Sequence, residues 1–271
     1  MVKALALRAL KVSAGAADRL RASRRGVVVL AYHRVGGGSQ VQLDMPRGQF
    51  DEQMAALAER GDAASLDGAL DALGRAEAPA RDPVVVTFDD GSADFVDVVV
   101  PVMVEHRIPV TLYLATGYVA EQRPLPYGGR PPSWAGLADV LSTGLVTIGS
   151  HTDSHALLAR APGTVARDEL DRSISLIAEH LGVRAEHFAY PKGILGSPPA
   201  EAAVRVRFRS AALGGTRPNP YGATDPYRLA RSPIQAADGM RWFDAKVRGG
   251  MGLEDDVRRA LNRWRYAKAT T

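Results

Sequence analysis

The chain has 271 residues, 34 lysines and arginines against 30 aspartates and glutamates, a formal charge of +4 at pH 7 and no cysteine. Without cysteine there is neither a disulfide framework nor a thiolate metal site. So small a positive excess, spread along the chain without interleaved aromatic residues, excludes a nucleic-acid platform, and the length suits one α/β domain with short flanks.

Residues 1–25 interleave Leu5, Leu7, Leu10 and Val12 with Lys3, Arg8 and Lys11. The charges interrupt any apolar stretch and no small-residue cleavage site follows, so a basic amphipathic helix is expected and a secretory signal is not. Such a helix either makes peripheral contact with an anionic membrane surface or covers the closed end of a barrel. A cytoplasmic location, extending to the inner membrane surface, is the matching expectation, and no segment is long and apolar enough to span a bilayer. Apolar runs at 27–32, 84–88, 110–114, 146–150, 188–190, 210–213 and 229–234 predict strands, and 49–60, 93–106, 134–142, 164–181 and 199–207 predict helices between them. Strand followed by helix, repeated, means a parallel sheet with crossovers. Gly36-Gly37-Gly38 lacks the lysine–serine sequel of a phosphate loop. Residues 121–132 predict a surface loop in which Tyr127, with Trp134 beyond it, either packs or lines a glycan groove. The chain ends in a basic amphipathic helix, 255–268, carried by Val257, Leu261 and Trp264. Three parts result: a basic segment 1–25, a catalytic domain 26–248 and a C-terminal basic helix within 249–271.

Two stretches carry chemistry. The run 84–88 delivers Asp89-Asp90-Gly91 to a strand end, and 145–148 delivers Ser150-His151-Thr152-Asp153-Ser154-His155. Where a strand gives way to a glycine turn, adjacent carboxylates can reach one pocket. Asp90, His151 and His155 then fill the three-ligand quota of a catalytic zinc with its fourth position open. Histidines four apart share a face if residues 151–155 enter a helix. The donors suit zinc, the expected ion, and also cobalt, nickel or ferrous iron.

Thr87-Phe88-Asp89-Asp90-Gly91 and Ser150 to His155, in this order, resemble the first two motifs of the polysaccharide deacetylases with a NodB-like domain, over about residues 27–234. The resemblance implies a distorted (β/α) barrel of about seven parallel strands. It implies a metal-dependent hydrolase that removes acetyl groups from an N-acetylated glycan or amino-sugar intermediate, with Asp89 as general base and Asp90, His151 and His155 on the metal. Phe188-Ala189-Tyr190-Pro191-Lys192-Gly193 falls where the family often has an arginine followed two residues later by proline, an aromatic and glycine. Ala189 stands where that arginine orients the base, and Lys192 replaces the aromatic whose N–H helps hold the oxyanion. A main-chain donor is indifferent to its side chain, so Tyr190, Pro191 and Lys192 keep the oxyanion role. Arg231 is either the replacement cation or a solvated edge arginine.

The family's late histidine, which protonates the leaving amine, has no counterpart among His33, His106, His151, His155, His180 and His187. His33, in Tyr32-His33-Arg34, is either a pocket residue at the end of the first strand or a packing histidine. His106 and His180 fall in helical patterns at the surface, and His187 begins a strand and so points away from the chemistry. Three readings follow: an active sugar N-deacetylase, a deformylase-like amide hydrolase acting on a lipid- or nucleotide-linked sugar, or a carbohydrate-binding relative without turnover. Oligomeric state has no signal in the sequence.

Overall fold

Side-chain alternation along buried strands builds this architecture. The computed structural model describes residues 11–15, 25–39, 41–75 and 77–257. Strands β1 (Val28–Tyr32), β4 (Val84–Phe88), β5 (Val110–Leu114), β6 (Val146–Ser150), β7 (His187–Ala189), β8 (Ser210–Gly214) and β9 (Leu229–Pro233) form a closed parallel barrel in that order. β9 returns to β1 through Leu30↔Ser232 and Ala31↔Pro233. Two-residue strands β2 (Arg34–Val35) and β3 (Asp44–Met45) pair outside it. Every residue of β1, β4 and β5 is buried, as strands covered on both faces require. Leu30, Tyr32, Val86, Phe88, Leu112 and Leu114 face outward into the main core, whereas Val29, Val85, Tyr113, Ala189, Ala212 and Leu229 meet inside the barrel.

The helices are α1 (Arg47–Arg60), α2 (Leu66–Leu73), α3 (Val100–His106), α4 (Thr116–Ala120), α5 (Trp134–Leu141), α6 (Gly163–Leu181), α7 (Pro198–Arg205) and α8 (Gly239–Val247). The seven-stranded α/β barrel is the expected one; β2, β3, α4 and α8 are additions to the expected elements, and three further details differ. Residues 95–99 form a π turn before α3 and not one α-helix over 93–106. Pro101, with no N–H to donate, favours that slip in the hydrogen-bond ladder. The closed end is plugged by α2, which the strand–helix pattern passed over: Leu66, Ala69 and Leu73 pack with Val27, Val29, Val85 and Leu229. Its Ser65 cap accepts from Gly68 N at 3.1 Å.

The third difference concerns the N-terminal segment. Lys11, placed on the wet face of an amphipathic helix, is instead 4 % exposed, and Val12 is 47 % exposed. Lys11 pairs with Asp238 and, at 3.3 Å, with Glu254. Lys246 joins from α8, donating to Asp238 at 2.8 Å and to Pro233 O at 2.7 Å, so this buried ionic cluster clasps the end of β9. The remaining predicted helix positions, 1–10, 16–24 and 258–268, lie outside the described residues. Among the described residues no helix is long and apolar enough to cross a membrane.

If α2 is part of the core, Leu66→Ala lowers unfolding free energy by about 2–5 kcal/mol. The measurement is a urea titration, whose midpoint drops while its slope is retained; an unmoved midpoint means that α2 contributes nothing to the core.

Candidate active site

Asp89 extends the β4 ladder, its N–H donating to Tyr32 O at 3.0 Å, so its side chain follows Val85 and Thr87 into the barrel. Asp90 then takes φ 71° and Gly91 φ 84°. A Cβ at Gly91 would fall 2.3 Å from Leu114 Cδ1, so only glycine fits. The left-handed step at Asp90, which costs of order 1–3 kcal/mol for a residue other than glycine, sends the two carboxylates to different partners.

Asp89 meets Arg231. Arg231 Nη1 donates to Oδ1 at 2.6 Å and Nη2 to Oδ2 at 2.8 Å, a bidentate pair in which arginine and aspartate are 2 % and 5 % exposed. Nη1 also donates to Thr87 Oγ1 at 3.2 Å, and that hydroxyl donates onward to Leu30 O at 2.7 Å. The guanidinium carbon stands 5.1 Å from the Tyr113 ring centre. Arg231 is therefore no solvated edge arginine: it pairs in register with Gly214 and projects inward. Small inward residues, Ala189 and Ala212, leave room for its stem. Burial alone would push the Asp89 carboxyl up, yet the charge of Arg231 and its hydrogen bonds outweigh it and hold the carboxyl well below the usual carboxylate range. Asp89 is ionised at neutral pH.

Asp90 faces the histidines. Its Oδ1 lies 3.6 Å from His151 Nε2 and 3.4 Å from His155 Nε2, is buried, and has no hydrogen-bond partner among the described residues. One ligand atom from each residue lies within 4.8 Å of the others. Tetrahedral ligands bonded at about 2.0–2.2 Å sit roughly 3.3–3.6 Å apart, so the donor set and the orphaned oxygen fit a divalent cation. His151 Nδ1 donates to Ala189 O at 2.8 Å, which fixes the tautomer and leaves the Nε2 lone pair facing Asp90. Thus Ala189, at the family's arginine position, serves the site through its carbonyl. Burial pushes His151 down; burial, then the repulsion that a protonated His151 would add, brings His155 down to about 4. Both rings are in the neutral, ligating form at pH 7.

Residues 151–155 do not enter a helix. Thr152 (φ 65°) and His155 (φ 63°) are both left-handed, and a loop, not a helical face, brings the rings to 5.0 Å between centres. His151 N donates to Leu114 O at 2.9 Å, tying the loop's start to β5.

The other predicted residues divide. His33 follows β1, and its Nδ1 is buried without a hydrogen-bond partner among the described residues. The Tyr190 ring packs edge-on against Phe188 at 5.0 Å and its N–H donates to Ala212 O at 3.0 Å. Pro191 opens a tight turn; Lys192 is exposed at φ 61°, and its charge disfavours protonated His155. Trp134 stacks on His180 at 4.5 Å, committing one ring face to a helix contact. The Tyr127 side chain lies outside the described residues. His106 pairs with Asp51 at 3.1 Å, and His187 sits at the closed end between Ser210 Oγ, 2.9 Å, and Asp67 of α2, 3.3 Å. Sequence reasoning missed Thr87, although its i, i+2 spacing from Asp89 on one strand places both inside, and it missed Tyr113 beneath Arg231.

The family model described as polysaccharide deacetylase matches residues 76–210, which include both motif loops. Among solved structures, the chain is similar to the Streptococcus pyogenes deacetylase PplD in complex with acetate, with a TM-score of 0.71 and 21% identity over 83% of this chain and 99% of that one. It is similar to IcaB from Ammonifex degensii, with a TM-score of 0.71 and 25% identity over 82% and 97%. A de-N-acetylase from Aggregatibacter actinomycetemcomitans gives a TM-score of 0.68 and 20% identity over 81% and 99%. A search of curated proteins found no match. With the barrel shared and the motif-bearing region matched, the chain belongs to the polysaccharide deacetylase family, hydrolases that act on amide bonds.

Proposed function

We propose that the chain is a metal-dependent N-deacetylase of an N-acetylated amino sugar, in a glycan or a glycan intermediate. The observation that carries this reading is the division of labour between neighbouring aspartates: Asp90 shares a cation-sized gap with His151 and His155, while Asp89 is held apart on Arg231. When bound there, a divalent cation, zinc by preference, lowers the pKa of water and polarises the amide carbonyl.

The residues of the chain supply the rest. Asp89 accepts the proton of the attacking water; a carboxylate has about four lone-pair sites, so two bonds to Arg231 leave acceptor capacity. Arg231 keeps Asp89 ionised and oriented. As the water oxygen bonds the acetyl carbon, charge develops on the carbonyl oxygen and is met by a main-chain donor in the Tyr190–Pro191–Lys192 turn. Proline has no N–H, and those of Tyr190 and Gly193 go to Ala212 O and Tyr190 O; the family resemblance assigns the role to Lys192, whose main-chain donor is indifferent to its side chain. His33 gives its proton to the departing nitrogen as the carbon–nitrogen bond breaks, leaving acetate and a free amine. The departure at Ala189, which favours a relative without turnover, is offset by the guanidinium that Arg231 brings from β9.

Acetate release from N-acetylated oligosaccharides and lipid-linked amino sugars is the direct assay. A chelator abolishes it and zinc restores it; Asp89→Asn lowers kcat by about 10²–10⁴-fold while zinc content, measured by mass spectrometry, is retained. Undiminished turnover in the asparagine variant removes Asp89 as base. His33→Gln lowers kcat by about 10²–10⁴-fold with zinc content retained; undiminished turnover removes it as acid. Arg231→Met leaves Asp89 buried and unpaired, at a cost of about 3–5 kcal/mol at pH 7. Because the wild-type carboxyl is held low, the stabilisation by the pair is complete above the unfolded pKa near 3.9 and is lost as pH falls below it. Urea titrations of the two proteins therefore converge at low pH, and a gap independent of pH contradicts the assignment.

A further inference from the structure

The loop that carries both histidines is gripped from outside by one carboxylate. Glu169, half-buried on α6, accepts through Oε2 from Asp153 N at 3.0 Å and Ser154 N at 2.8 Å, and through Oε1 from Ser154 Oγ at 2.7 Å. Three residues further along the helix, Arg172 Nε lies 2.8 Å from Asp153 Oδ2. From the other side, Thr116 Oγ1 donates to Asp153 Oδ1 at 2.8 Å and Gly117 N to Asp153 O at 2.8 Å. A Cβ at Gly117 would come 2.9 Å from that carbonyl, so the approach is tight.

We propose that Glu169 is a positioning residue for the metal site: it sets the distance and angle at which His155 Nε2 meets Asp90. The inference rests on the metal-dependent reading above. His151 is fixed independently, by its main-chain bond to Leu114 O and its ring bond to Ala189 O. His155 lies in neither strand nor helix and has a left-handed backbone, so its ring goes where residues 152–154 direct it. Two consecutive amides converging on one carboxylate oxygen, with the neighbouring hydroxyl on the other, are charge-assisted bonds that lock this span in one conformation. Supporting groups of this kind usually govern metal affinity by 10–100-fold.

Cobalt(II) titration of the full chain, followed by d–d absorption, tests this with Glu169→Ala, Glu169→Gln and Glu169→Asp. Alanine weakens cobalt binding by about 10–100-fold and alters the spectrum. Glutamine restores both, since its carbonyl accepts from the two amides and its NH2 donates to Ser154 Oγ. Aspartate keeps the charge but falls a methylene short, and it behaves like alanine; should the alanine variant not fold, the contrast between glutamine and aspartate decides. Wild-type affinity and spectrum in the alanine or aspartate variant overturn the proposal, as does glutamine behaving like alanine. A wild-type chain that binds no cobalt dependent on Asp90 overturns the metal-site reading and this inference with it, whereas tight wild-type binding unaffected by position 169 defeats this inference alone.

Discussion

Asp89 and Asp90 are chain neighbours, and the open end of the barrel depends on the left-handed step that separates their carboxylates. In an unbroken strand, alternation would put one inside and the other outside. The turn at Asp90 and Gly91 brings the second carboxylate back over the barrel mouth while the first stays on the inner wall. One acid is thereby bound to a permanent cation and the other is left facing two neutral imidazoles. Similar backbone strain recurs at Thr152, His155 and Lys192, so the surrounding barrel, not local preference, holds these conformations in place.

Inside the barrel, Arg231 occupies volume that an apolar side chain could fill. A buried pair of this kind is weak grounds for stability, because desolvation offsets much of the attraction. On the proposed reading its value is preorganisation: Thr87, Tyr113 and both Asp89 oxygens hold the guanidinium, so the carboxylate would need no reorientation to receive a proton. The ionic cluster of Lys11, Asp238, Lys246 and Glu254 secures the C-terminal end of the same strand, where Lys246 binds Pro233 O. β9 is thus pinned at its end by one charged group and at its centre by another.

The barrel and the Asp90–His151–His155 cluster were legible because each leaves a short-range signature. Seven largely apolar runs, the first four rich in β-branched residues, separated by helical patterns specify the sheet, and Asp-Asp-Gly with two histidines four apart specifies the cluster. What local pattern cannot carry is direction in space. Whether Arg231 faces water or Asp89 depends on the register of β9 against β8 and on alanines at 189 and 212, from other strands. The histidine spacing suggested a helix face, yet hydrogen bonds accepted by Glu169 and donated by Thr116, both distant in the chain, impose a loop. The plug α2 did have a signal: Leu66, Ala69, Leu70 and Leu73 at helical spacing between Ser65 and Gly74. At eight residues it is too short for periodicity to stand out.

A crystal structure of the zinc-loaded protein, with anomalous maps at the zinc edge, tests the central claim most directly. The account predicts one peak about 2.0–2.2 Å from Asp90, His151 and His155, with Asp89 still bidentate on Arg231. A peak ligated by Asp89, with its bonds to Arg231 broken, would contradict it, as would a map with no density between the three ligands.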